Sequence, residues 1–139
     1  MVLEDCTPAA EAVDIRLETS VVNGLSVSVD AALMRRCLEN LVLNAIKFSP
    51  RQTVVTIDVA LEESLRIDVV DEGPGVPEEK RESVFQKFVT VEQRRNAARQ
   101  TGLGLAFCRM VVEAHGGTIT ALTRKGNGSI FRILLPSGA

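Results

Sequence analysis

Residues 30–50, DAALMRRCLENLVLNAIKFSP, carry the strongest helical pattern in the chain. Asp30 is a suitable N-cap, and Ser49-Pro50 ends the helix because a residue that precedes proline disfavours the helical conformation. We therefore predict a helix over about residues 31–48. Apolar side chains recur along one face of it, namely Met34, Leu38, Leu41, Ala45 and Phe48.

Alternating segments on both sides of this helix predict strands. Residues 15–18 and 25–29 alternate around Asn23-Gly24 and predict a hairpin, and residues 55–61 and 65–69 predict an antiparallel pair. Two final strands, 118–124 and 129–135, flank the turn residues 125–128.

The remaining segments connect these strands. An apolar helix over Leu103–His115 ends at Gly116-Gly117, and Pro77 opens a short helix near residues 77–84. Residues 1–12 lack a regular period, so we expect them to be a linker remnant. Residues 86–101 are basic and poor in apolar anchors, and we interpret them as a mobile connection.

This order of elements predicts an α+β domain with a mixed, mainly antiparallel sheet covered by helices on one face. The length of 139 residues corresponds to a single domain, residues 1–139. A net charge of −2 disfavours a nucleic-acid surface, and no apolar run is long enough for a membrane span. Three cysteines without metal spacing favour a reducing cytoplasm.

A polar stripe on the long helix is the first candidate site. Asn40, Asn44 and Lys47 fall within about 60° of one another, on the side away from the apolar face. A solvated helix face would show the same stripe. Asparagine oxygens are also ligands that suit Mg²⁺ when phosphates and water complete its shell.

Asp71 is the second candidate, because it shares the strand parity of Leu65, Ile67 and Val69. Its carboxylate should therefore emerge at the end of the buried face, where it needs hydrogen-bond donors. One interpretation is an Asx turn that opens the loop Gly73-Pro74-Gly75. The other is an acceptor for an exocyclic amine such as that of adenine, with the glycines admitting a planar ring.

The third candidate is the glycine-rich turn Thr101-Gly102-Leu103-Gly104-Leu105, which opens a helix. Backbone N–H groups at such a helix start can bind phosphate oxygens. A plain junction between loop and helix explains the same residues. The motif is neither a Walker sequence nor a dinucleotide fingerprint, and no strand directly precedes it.

Four segments in order together resemble the N, G1, F and G2 boxes of the ATP-binding domain of sensor histidine kinases. They are residues 40–50, NLVLNAIKFSP; residues 71–76, DEGPGV; residues 85–88, FQKF; and residues 101–105, TGLGL, followed by EAHGG at 113–117. The resemblance covers about residues 12–136 and implies the two-layer α/β sandwich called the Bergerat fold.

The resemblance implies a role for each matching residue in binding ATP and Mg²⁺. Asn44 matches the magnesium ligand, Asn40 the polar residue one turn earlier, and Lys47 the residue that reaches the phosphates. Asp71 matches the aspartate that reads adenine. Further nucleotide contacts would come from Phe48, Gly73, Gly75, Val76, Phe88, Thr101, Gly102, Leu103, Gly104 and Leu105, and residues 86–101 would form the ATP lid.

Two positions bear on the chemistry. Related ATPases of the gyrase and MutL group place a general-base Glu where this chain has Asn40, and Glu39 is rotated by about 100° from it. Phosphoryl transfer to a protein acceptor therefore fits better than water activation. His115 is the sole histidine, and we interpret it as a structural residue at a helix end rather than a phospho-acceptor.

The resemblance implies phosphoryl transfer to a histidine on a separate dimerisation domain of the same parent protein, with a response regulator receiver domain downstream. We expect a cytoplasmic domain that is monomeric in isolation, binds no nucleic acid and does not insert into membranes. A membrane anchor elsewhere in the parent protein is compatible with this expectation. Two alternatives stay open: a nucleotide-binding regulatory module without kinase activity, and a serine kinase of the anti-sigma type.

Overall fold

Three helices and five strands occur in the part of the chain that the computed structural model describes, residues 2–21, 30–85, 104–124 and 128–136. Two short 3-10 helices, Glu78–Lys80 and Ser83–Phe85, precede the third α-helix. In chain order the main elements are α1 (Val2–Ala12), β1 (Arg16–Val21), α2 (Ala31–Phe48), β2 (Val54–Leu61), β3 (Ser64–Val70), α3 (Gly104–Ala114), β4 (Thr118–Thr123) and β5 (Ser129–Pro136).

The strands form one sheet in the order β1-β2-β3-β5-β4. β1 runs parallel to β2, and the other neighbouring pairs are antiparallel. Alternate side chains of the strands join side chains of the helices in a single hydrophobic core. The predicted α+β fold, with a mixed and mainly antiparallel sheet, is confirmed.

Helix α2 has the predicted bounds because its end signals are local. The Asp30 side chain accepts a hydrogen bond from the backbone N–H of Leu33 at 3.0 Å, and Ser49 adopts an extended conformation before Pro50. Its buried face is wider than predicted because α2 contacts α1 and α3 as well as the sheet. The buried residues are Met34, Cys37, Leu41, Val42, Ala45 and Ile46.

The prediction of an irregular lead over residues 1–12 is wrong, since Val2–Ala12 form helix α1 even with Pro8 inside it. Cys6 and Ala10 of this helix are buried, and the N–H of Ile15 bonds the carbonyl of Ala10 at 2.9 Å. Small buried side chains give little apolar periodicity. Packing against the rest of the domain stabilises a helix that the pattern does not show.

The single short helix predicted near residues 77–84 is two 3-10 helices instead. Their turns close through Lys80 N–H to Pro77 O and Phe85 N–H to Glu82 O, at 2.8 and 3.3 Å. Only Val84 and Phe85 of these turns are buried, so the segment has no continuous apolar face that would favour a longer α-helix.

Helix α3 ends at Ala114, close to the end predicted at Gly116-Gly117. Gly116 has a positive φ of 77°, as expected of a glycine that ends a helix. The antiparallel pairs β2–β3 and β4–β5 are also confirmed. The partner strand of the predicted first hairpin, residues 25–29, and the predicted lid, residues 86–101, lie outside the described residues. Within those residues, no helix combines the length and apolarity needed to cross a membrane.

Candidate functional site

A small cavity lies where the C-terminal part of α2 meets the ends of β3 and β5. It encloses about 10 Å³. Five of the residues predicted from sequence line it: Asn44, Phe48, Asp71, Gly75 and Val76. Pro74, Ser129 and Phe131 complete the lining. The structure thus brings the N-box and G1-box segments to one place.

Asp71 is 3% exposed, as its strand parity predicts. Its Oδ1 atom accepts hydrogen bonds from the backbone N–H groups of Gly73, at 2.8 Å, and Ser129, at 3.2 Å. The bond from Gly73 is the Asx turn of the structural interpretation. No hydrogen bond among the described residues goes to Oδ2, so the Asx turn and a role in the cavity are compatible.

Burial raises the pKa of Asp71, while the N–H groups of Gly73 and Ser129 and the positive charge of Arg124 act in the opposite direction. The raised pKa means that the folded chain binds this proton more tightly than the unfolded chain does. The contribution of Asp71 to stability therefore declines as the pH rises from 3.8, the ordinary value, through the raised pKa.

We expect this pH dependence of stability to appear when the melting temperature of Asp71→Asn is compared with that of the parent chain. The amide oxygen can accept the same two N–H groups without carrying a charge, so the difference in melting temperature should shift in favour of the variant between about pH 4 and pH 7. Thermal unfolding followed by circular dichroism at several pH values measures it. If the difference in melting temperature did not vary with pH, burial would not be destabilising the ionised form of Asp71.

Two glycines let the backbone close around this carboxylate. A Cβ on Gly73 would lie 2.5 Å from the carbonyl oxygen of Phe48 and 3.2 Å from Oδ1 of Asp71. Gly128 has φ of 119°, and a Cβ there would collide with the carbonyl oxygen of Asp71. A side chain at either position would force apart the elements that carry Asp71, Phe48 and Ser129.

Ser129 and Phe131 were not singled out from the sequence. Ser129 is 4% exposed, and besides its bond to Oδ1 its carbonyl accepts the N–H of Asp71 at 3.0 Å. A signal was present, because Ser129 shares the inward parity of Phe131, Ile133 and Leu135 on β5. Glu72 was also missed; its Oε2 accepts the N–H of Val54 at 2.8 Å and secures the start of β2.

The three residues of the predicted polar stripe on α2 have different surroundings in the structure. Asn44 lines the cavity, whereas Asn40 faces α3, where a Cβ on Gly104 would lie 3.9 Å from its Cγ. Lys47 is exposed at the surface of α2. Glu39 lies 3.8 Å from the guanidinium of Arg35 and is not part of the cavity lining.

The glycine-rich turn is described only from Gly104 onward. Gly104 begins α3, and Leu105 packs against the hydrophobic core. Phe88, Thr101, Gly102 and Leu103 lie outside the described residues, so their predicted contacts with a nucleotide stay predictions.

His115 has the structural role expected of it. Its Nε2 accepts the backbone N–H of Asp30 at 2.9 Å, which places the ring proton on Nδ1. Nδ1 lies 2.8 Å from the carbonyl of Val111 in the last turn of α3 and donates to it. The ring thereby joins the C-terminal end of α3 to the N-cap of α2.

We expect His115→Ala to lower the free energy of unfolding by about 1–2 kcal/mol, because it removes two hydrogen bonds at a partly exposed site. Urea unfolding followed by circular dichroism measures this loss. Nucleotide affinity should stay within about twofold of the parent value, since His115 does not line the cavity. Unchanged stability would contradict the bridging role.

A divalent cation would find only part of its ligand set in the protein. Among the described residues there is no group of three or more His, Cys, Asp and Glu side chains that could hold a metal. The amide oxygen of Asn44 is a hard, neutral ligand of the kind that Mg²⁺ accepts when phosphate and water oxygens fill its other positions. The residues at the cavity therefore fit a cation that arrives with a phosphate ligand.

The chain thus combines a helix-covered mixed sheet with an aspartate and an asparagine at one cavity. Residues 29–139 match the family of histidine kinase-, DNA gyrase B- and HSP90-like ATPases. The chain belongs to this family.

Known relatives narrow the assignment. The sensor protein KdpD of Escherichia coli is 43% identical over 111 residues, which are 79% of this chain and 12% of KdpD. The sensor-like histidine kinase SenX3 of Mycobacterium bovis is 37% identical over 131 residues, 93% of this chain and 32% of SenX3. The chain therefore spans at most about a third of these relatives.

The structure of the mycobacterial sensor histidine kinase MprB superposes with a TM-score of 0.84 at 28% identity, covering 97% of this chain and 89% of that one. The chain is thus an ATPase catalytic domain of the histidine kinase type.

Proposed function

We propose that this domain positions Mg·ATP for transfer of the γ-phosphoryl group to a histidine on a separate dimerisation domain of the same parent protein. The observation that carries the proposal is the meeting of Asp71 and Asn44 at one cavity. Asp71, which directly follows β3, would recognise the adenine, and Asn44, in the C-terminal part of α2, would bind the metal.

At the adenine end, Asp71 is already fixed by the two N–H groups that bond Oδ1. Oδ2 is then available to accept the exocyclic amine of adenine, and a guanine would present a carbonyl oxygen there instead. Phe48, Val76 and Phe131 supply apolar walls for a planar ring. Because the cavity encloses about 10 Å³, entry of a purine requires these walls to separate.

At the phosphate end, Asn44 would hold the magnesium ion, and Lys47, one turn later on α2, would reach the phosphates. Magnesium supplies neutralisation of the charge that develops on the transferred group. Asn40, next to Gly104 at the start of α3, would help to position this end of the nucleotide. Positioning and electrostatic stabilisation supply most of the catalysis in phosphoryl transfer.

The chain supports transfer to a protein better than hydrolysis. By the resemblance to the gyrase and MutL group, Asn40 stands where those ATPases have a general-base Glu, and an amide cannot accept a proton from water at neutral pH. Glu39 pairs with Arg35 away from the cavity. An acceptor histidine would supply its own nucleophilic nitrogen, so this domain needs no base to generate one.

Two structures similar to this chain support the choice of nucleotide and partner. Full-length ShkA, at 27% identity and a TM-score of 0.81, was solved in complex with AMPPNP. The histidine kinase ThkA, at 28% identity and a TM-score of 0.81, was solved with the response regulator protein TrrA. We extend the adenine nucleotide and the response-regulator partner to this chain, with a receiver domain as the later phosphoryl acceptor. We further propose that the domain lies in the cytoplasm.

Transfer of label from γ-³²P-ATP to a dimerisation domain that carries the acceptor histidine tests the proposal. We expect acid-labile, alkali-stable label that disappears when the acceptor histidine is replaced by alanine. Acid-stable label would identify a serine kinase instead. Nucleotide binding without any transfer would identify a regulatory module, and both results would contradict the proposed reaction.

A further inference from the structure

The packing of α2 against α3 contains a pair of cysteines that the nucleotide site does not use. Cys37 of α2 and Cys108 of α3 are both 0% exposed. The Sγ of Cys108 lies 3.3 Å from the carbonyl oxygen of Cys37, and the Sγ of Cys37 lies 3.9 Å from the carbonyl oxygen of Cys108.

In this reciprocal contact, the side chain of each cysteine touches the backbone of the other helix. The axes of two packed helices are ordinarily about 8–10 Å apart, and the side chains at the contact set the distance. Here each sulfur, only two bonds from its own Cα, reaches the main chain of the other helix. A disulfide forms without backbone movement when the two Cα atoms are ~4.4–6.8 Å apart, so the bond proposed below requires α2 and α3 to approach this closely at the two cysteines.

Other contacts hold α2 and α3 together at both ends of their interface, which we call the seam. Toward the cavity, Asn40 lies against Gly104, and at the far end His115 bonds the N–H of Asp30. Between them, the guanidinium of Arg36 lies 5.3 Å from the ring centre of Phe107. The cysteines therefore face each other in a fixed register within a closed seam.

We propose that Cys37 and Cys108 form a reversible disulfide that joins α2 to α3 when the chain meets a small-molecule disulfide such as oxidised glutathione. One thiolate attacks the glutathione disulfide, so a mixed disulfide forms and one glutathione thiolate leaves. The second cysteine then attacks the protein sulfur of the mixed disulfide and releases the second glutathione. Both thiol protons end on the two reduced glutathione molecules.

The closed seam makes this reaction slow but specific. The contact with Cys37 and burial both raise the pKa of the Cys108 thiol, so the closed state holds little thiolate. Attack therefore follows a local separation of α2 and α3, and reclosure presents the other cysteine to the mixed disulfide. Once formed, the bond fixes the seam that adjoins Asn40 and Gly104.

The test is oxidation of the folded 139-residue chain by oxidised glutathione, followed by mass spectrometry of peptides kept unreduced. We expect a peptide pair joined through Cys37 and Cys108, a mass loss of two hydrogen atoms, reversal by dithiothreitol, and a melting temperature raised on the order of 10 °C. Cys6→Ala is the matched control, since it removes the third buried cysteine and should leave the product unchanged.

Cys37→Ala and Cys108→Ala should each abolish the joined peptide, with circular dichroism confirming that the variants fold. The direct peptide assignment in the parent chain keeps the test independent of those variants. Pairs that contain Cys6, or glutathione adducts without a joined pair, would overturn the proposal. So would three free thiols after an exposure that oxidises the same chain unfolded in urea.

Discussion

Asp71→Asn is expected to weaken the binding of adenine nucleotides by at least about 100-fold while the domain stays folded. In the parent chain, Oδ1 of Asp71 is held by the N–H groups of Gly73 and Ser129. An asparagine whose oxygen keeps those bonds would place its NH₂ group where the carboxylate offered Oδ2. Two N–H donors, one from the protein and one from adenine, would then face each other in a buried site.

Isothermal titration calorimetry with a non-hydrolysable ATP analogue measures this loss. Asp58→Asn is a matched control, because Asp58 also lies on a strand of the sheet but pairs with Arg66 at 3.4 Å and does not line the cavity. We expect the control to bind as the parent does. Asp71→Asn with parental affinity and a folded spectrum would show that the adenine assignment is wrong.

Asn44→Ala is expected to remove most of the enhancement that magnesium gives to nucleotide binding, a loss of about tenfold or more. Asn44 is the polar residue of α2 that lines the cavity, and alanine deletes its amide oxygen without disturbing the helix. Binding in the presence of EDTA should change much less, because Asp71 still accepts from the adenine amine.

Titrations of the variant with and without magnesium separate these two contributions. Leu43→Ala, at the neighbouring position on the same helix, is a suitable control because Leu43 is 44% exposed and does not line the cavity. It should keep the magnesium dependence of the parent. An unchanged magnesium dependence in Asn44→Ala would remove Asn44 from the metal site.

The sequence predicts those parts of the fold that local signals determine. α2 has a capping Asp30 at one end and Ser49-Pro50 at the other, so both bounds can be read from neighbouring residues. The burial of Asp71 follows from strand parity in the same way. Each of these signals lies within a few residues of the feature that it predicts.

Other parts depend on residues that are distant along the chain. α1 buries only small side chains such as Cys6 and Ala10, and its packing stabilises it rather than its own periodicity. The parallel pairing of β1 with β2 joins strands on either side of α2, which no local pattern specifies. Likewise, Ser129 bonds Asp71 although the two residues are 58 positions apart. The local pattern therefore predicts the final hairpin but not the contact of its second strand with the cavity.

Calorimetric titration of this chain with an ATP analogue, with and without magnesium, tests nucleotide binding at the cavity of Asp71 and Asn44 most directly. We expect binding that magnesium strengthens and that the corresponding GTP analogue does not reproduce. Equal affinity for both nucleotides, or no binding by a folded sample, would contradict it.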